Sequence, residues 1–158
     1  MPNKPKKSRQ AKYSNHASPA DPLGYLSETL SLSELTNWVR TSNSVLCESA
    51  YFNDLDRRAN SGVIVYLIGE HFIPLYGNAD APKKDIETSL LSVFDYDHPL
   101  MVRKGLEWLG IGYFQTCKGR PASDVANYMH VLTTLIALHE MYCGDEYWAI
   151  PDEDVRAA

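Results

Sequence analysis

Long apolar runs are missing from this chain. The longest, Val63 to Ile68, falls far short of the roughly 20 apolar residues that carry a helix across a bilayer, so no membrane span is expected. No apolar segment follows the basic N-terminus, which argues against a secretory leader and for a cytoplasmic location. Cysteine is scarce too. Cys47, Cys117 and Cys143 are too few and too scattered for a disulfide framework or a zinc ribbon, and an odd count fits reduced thiols in a reducing compartment.

Positive charge is also in short supply beyond the first 20 residues. Lys4, Lys6, Lys7, Arg9 and Lys12 stand unopposed before Asp21, which leaves 10 basic against 20 acidic residues in the remainder. An acidic body is a poor surface for nucleic acid, so those five residues are the candidate contacts for nucleic acid or an acidic partner, and any such contact is expected to be weak and non-specific. The glycines of Gly105 to Gly112 lack the Gly-Lys-Ser/Thr ending of a phosphate loop. No serine, histidine and acid set stands out, and the carboxylates fall mainly at expected helix starts and loops, where capping and solvation account for them.

What is present is enough for one core. The chain has 158 residues, 44% hydrophobic and 11% aromatic, which favours a single domain. Residues 1–22 mix Lys, Ser, Asn and Pro with little to bury and are expected to form a disordered basic arm. Residues 23–150 are expected to form a helical domain, with Tyr147, Trp148 and Ile150 packing back on it, and 151–158 an acidic flexible end.

The longest helical pattern runs from Pro121 to Cys143 and suggests a central helix. Val125, Met129, Leu132, Ile136, His139 and Cys143 follow steps of four and three, widened by Tyr128, Val131, Leu135, Leu138 and Tyr142. Gly144 suits the left-handed residue that ends a helix, and Pro121 suits a first turn. Upstream, Ser31 and Glu34 form a capping box, with Leu30 and Leu35 placed as its staple. The stripe that follows is Leu32, Leu35, Val39, Ser42, Leu46 and Ser49, with Trp38 and Val45 beside it.

Asn53, with Asp54 and Asp56 behind it, is expected to cap a second helix through Ala59, Val63 and Leu67 into Glu70. The alternative is an α+β fold with a small hairpin at 63–76, turning at Gly69-Glu70. An isolated hairpin is marginal and no third strand is evident, which favours the helix. A short helix carries Ile86, Leu90, Val93 and Phe94. A longer one starts at Pro99, buries Val102, Leu106, Leu109, Tyr113 and Cys117, and closes at Gly119. Gly105, Gly110 and Gly112 should weaken it unless a neighbour approaches closely there. The short link to Pro121 makes the last two helices antiparallel neighbours. The expected fold is all-α, a single compact bundle of four or five helices.

Three local patterns bear on function. His139, Glu140 and Cys143 share part of the spacing of a His-Glu-x-x-His zinc helix, but cysteine replaces the second histidine and no third ligand is identifiable, so no metal or other cofactor is expected. The segment Ser33-Glu34-Leu35 through Thr41-Ser42 to Val45-Leu46 resembles a helix-turn-helix, which implies a recognition helix capped by Ser42 and presenting Asn43 and Ser44. Arg40 and Thr36 depart from its usual glycine and alanine, and after Glu48 no basic residue comes before Arg57, so one continuous helix accounts better for the segment. Leu106, Leu109, Gly110, Tyr113 and Ala122 resemble part of a tetratricopeptide repeat, but Phe72, Leu75, Tyr76, Ala79 and Thr88, 34 residues upstream, do not repeat it.

The leading expectation is a small intracellular regulatory or adaptor protein that binds another macromolecule, most readily a protein. The alternative is a DNA-binding transcriptional regulator using the segment near 33–46 with the basic arm. A third is an enzyme whose residues converge only in three dimensions.

Overall fold

The computed structural model describes residues 21–144, and these form six helices with no strand among them. Helix α1 spans Pro22–Thr29 and α2 spans Leu32–Glu48. A 3₁₀ turn, Ala50–Asn53, leads into α3, whose α-helical part is Leu55–Tyr66. That helix continues through a π-helical segment, Leu67–Phe72, to a last turn at Ile73–Tyr76. Helices α4, Lys83–Phe94, α5, Pro99–Thr116, and α6, Ala122–Cys143, complete the bundle. The fold is all-α, with one more helix than the four or five expected.

The extra helix is α1. Asp21 caps it by accepting from the Gly24 N–H at 3.0 Å, and Pro22 occupies its first turn, where a missing donor is harmless. The expected arm end at residue 22 therefore runs into folded structure: Pro22, Leu23 and Leu26 are buried. The rest of the arm, including Lys4, Lys6, Lys7, Arg9 and Lys12, lies outside the described residues, as do Tyr147, Trp148, Ile150 and 151–158.

The capping box of α2 is formed as expected. Ser31 Oγ accepts from Glu34 N at 3.1 Å, and Glu34 Oε1 accepts from Ser31 N at 2.8 Å. That backbone hydrogen bond holds the Glu34 carboxyl below its usual range. The buried stripe of α2 is centred on Leu35, Trp38, Ser42 and Val45, while Leu32 is 39% exposed.

Helix α3 replaces the hairpin at 63–76. Asp54, rather than Asn53, caps it, accepting from Arg57 N at 3.0 Å. Its buried face is Ser61, Ile64, Val65, Ile68 and Phe72, so Val63, expected inside, is exposed. The strand-like run is helical because Ile64, Val65 and Ile68 are packed by tertiary neighbours, which outweighs a weak local preference. The wider π turn absorbs Gly69-Glu70, the pair that the hairpin reading placed at its turn.

Helix α5, rather than α6, is the hub. It packs on α2, α3, α6 and the 3₁₀ turn. Its glycines explain why: a methyl group at Gly105 would lie 2.6 Å from Ile64, one at Gly110 would lie 2.8 Å from Leu132, and one at Gly112 would overlap Phe52. The glycines cost α5 intrinsic helix stability, and the close approach of three neighbours offsets that cost. Gly110 faces Leu132 and Tyr113 stacks on Tyr128, so α5 and α6 run antiparallel. One hydrophobic core runs from Leu23 to Leu138 and draws on every helix. No described helix is long and apolar enough to cross a membrane.

Candidate functional site

The first half of α2 and the start of α6 diverge from the end of α5 and enclose a cleft of about 350 Å³. Its floor is aromatic. The rings of Tyr113 and Tyr128 stack with centroids 3.9 Å apart and planes 5° from parallel, and Trp38 lies beyond Tyr128 at 5.7 Å. The helices set this order: Trp38 and Ser42 are one turn apart on the buried face of α2, and Tyr128 points at both from α6. Ser42 Oγ and Tyr128 OH share a buried hydrogen bond of 2.8 Å. Burial pushes the Tyr128 phenol well above its usual range, which the Ser42 bond partly offsets, and it also pushes the Tyr113 phenol up, against the pull of Arg120. Both tyrosines are neutral at physiological pH.

The walls are polar. Ser33, Asn37 and Thr41 recur every four residues along α2, and Arg120 from the link before α6 and Asp124 and Asn127 from its first turns also line the cleft. The Arg120 guanidinium sits 5.4 Å from the centroid of the Tyr113 ring, and its Nε reaches Thr116 O at 3.5 Å. Among the described residues, neither Arg120 nor Asp124 is in an ion pair, and the side-chain amides of Asn37 and Asn127 make no hydrogen bond. Trp38 is 1% exposed, and its indole N–H is buried without an acceptor. Leaving such a donor unmatched costs about 1–3 kcal/mol, so this position calls for a physical account.

The residues singled out in the sequence do not converge on this cleft. His139 and Cys143 are buried on the core side of α6 and Glu140 is half-buried, while the described residues contain no group of three or more His, Cys, Asp or Glu that could hold a metal ion. Burial, with Arg103 acting in the same direction, lowers the His139 pKa to about 4, and its ring lies 5.3 Å from that of Phe94.

The helix-turn-helix segment contains no turn, because α2 is continuous from Leu32 to Glu48. Asn43 and Ser44 are exposed, but Ser42 is inside, bonded to Tyr128 rather than capping a second helix. Leu106, Leu109, Gly110 and Tyr113 are buried core positions of α5. The spacing of Asn37 and Thr41 and of Arg120, Asp124 and Asn127 is visible in the sequence, but each set alone looks like an ordinary solvated helix face. Only the packing of α2 against α6 opposes them. No protein-family model, curated protein or solved structure matches the chain.

Proposed function

We propose that this is an intracellular adaptor or regulatory protein that binds another protein through the cleft between α2 and α6. One observation carries the reading: opposed polar walls with unpaired side chains line a cleft to which Trp38 contributes, and the buried Trp38 indole N–H has no acceptor. Arg120, Asp124, Asn37 and Asn127 offer donors and acceptors of both signs, which suits recognition of a polar segment. Sequence-specific DNA reading is disfavoured by the unbroken α2 and the burial of Ser42, and the acidic balance beyond the first 20 residues repels phosphate. Lys4, Lys6, Lys7, Arg9 and Lys12 remain the proposed place for weak, non-specific contact with nucleic acid.

The test is a pull-down from the native host with and without nuclease, using the full chain and an Asn37→Ala/Asp124→Lys variant of unchanged circular dichroism. The reading expects a protein retained after nuclease treatment by the native chain and lost by the variant. Capture of nucleic acid alone, or of the same protein by both chains, would overturn it.

A further inference from the structure

We infer that the cleft recognises an extended peptide segment of its partner through backbone or side-chain amide groups, with one carbonyl accepting from Trp38 Nε1. This deepens the adaptor reading and rests on it. The floor rings of Trp38, Tyr113 and Tyr128 are 1%, 1% and 4% exposed, which leaves no ring face for a nucleobase to stack on, so recognition falls to the polar walls. Asn37 and Asn127 each offer an adjacent carbonyl and amino group, the complement of a peptide amide, and neither is engaged elsewhere.

Charge argues against a purely anionic occupant. Arg120 is matched at the cleft by Asp124, and Glu34 also borders it, so a lone carboxylate or phosphate meets repulsion as well as attraction. A neutral peptide group uses donors and acceptors together. The size agrees, since about 350 Å³ accommodates a few residues of extended chain and no folded element. The Trp38 N–H is buried, so the proposed binding includes a local opening that admits the acceptor to it.

The experiment follows the Trp38 indole resonance in the full chain labelled with ¹⁵N-tryptophan, assigned by its loss in Trp38→Phe. Four probes are titrated separately: an acetylated and amidated tetra-alanine peptide, acetamide, acetate and inorganic phosphate. The expected result is a saturable downfield shift with the blocked peptide, tighter than with acetamide. Asn37→Ala and Asn127→Ala, both at exposed positions, should each weaken it about fivefold, the equivalent of one neutral hydrogen bond.

Equal affinity for acetamide and peptide would overturn the peptide assignment in favour of a small amide. A response to acetate or phosphate instead would make this an anion site. No response to any probe would leave an ordered water as the acceptor and overturn the inference outright. A partner captured equally by the native chain and the cleft variant, alongside a positive peptide titration, would remove the adaptor reading and leave the amide site standing.

Discussion

Ser42 and Tyr128 are hydrogen-bonded at 2.8 Å across the buried seam between α2 and α6, although 86 positions separate them in the chain. The bond ties the two helices together across the seam beside the cleft that Asn37 and Asn127 line. Removing either partner leaves the other hydroxyl short of a bond in a place where water enters poorly. Ser42→Ala and Tyr128→Phe are each expected to destabilise the fold by about 1–3 kcal/mol. The double variant should lose less than the sum, by about 0.5 kcal/mol or more, and urea unfolding of all four proteins measures that coupling. Strict additivity would mean that the two groups do not act together.

The face of α6 that is inside can be checked by truncation. Leu132, Leu135 and Leu138 are buried to within 2% and should each cost about 2–5 kcal/mol when replaced by alanine. Ile136 falls on the stripe read from the sequence but is only half-buried, so Ile136→Ala should cost clearly less than Leu135→Ala. Chemical denaturation of the pair decides which face is packed, and a reversed order would mean that the helix is rotated.

The helices and their class were legible because their signals are local. The Ser31 and Glu34 capping box, Pro99 at a first turn and Gly144 beyond the last turn each act within four residues, and each stands where its chemistry places it. Gly144 takes φ 55° and ψ -121°, a positive-φ backbone that glycine enters without a Cβ clash, although not the left-handed helical pair expected there. What was not legible depends on partners far along the chain. Helix α1 was missed because Pro22-Leu23-Gly24 has weak helix propensity and is held by burial of Leu23 and Leu26.

The stripe of α2 was read nearly as it stands, with Leu35, Trp38, Ser42, Val45, Leu46 and Ser49 buried and only Leu32 and Val39 further out. That of α3 was read about one position from the observed face of Ile64, Val65 and Ile68, because its position depends on distant neighbours and not on periodicity alone. The cleft was invisible for a stronger reason. Asn37 on α2 and Asn127 on α6 are 90 positions apart, and no local pattern says that the two faces oppose each other.

Acid should destabilise the protein through His139. The buried ring has its pKa lowered to about 4, whereas in the unfolded chain it titrates near 6.5. Between those values the unfolded state holds a proton that the folded state lacks, so stability falls as pH falls. The contribution is fully present above about pH 6.5 and is lost on the way down to about pH 4, up to roughly 3 kcal/mol over the whole window. His139→Gln should flatten the stability profile between pH 7 and 5, where most carboxylates stay ionised. An unchanged slope in that interval would show that other groups govern it.

Two glycines on packed helices should respond to the same substitution with opposite signs. Gly62 lies in α3 with open space where a methyl group would go, so Gly62→Ala gains helix propensity and restricts the unfolded chain, for an expected stabilisation of about 0.4–1 kcal/mol. Gly112 lies in α5 against Phe52, which is fully buried, and there the same methyl group overlaps the ring. The same propensity gain applies at Gly112, but the ring has nowhere to move, and overpacking of this kind costs about 1–3 kcal/mol. Gly112→Ala should therefore lower the melting temperature while Gly62→Ala raises it. Phe52→Leu carries the discriminating step. Alone it should destabilise by opening space beside α5, but in the Gly112→Ala background its cost should shrink or reverse, because the smaller side chain leaves room for the methyl group. If Phe52→Leu proved equally harmful in both backgrounds, close approach at Gly112 would not be what holds the 3₁₀ turn against α5.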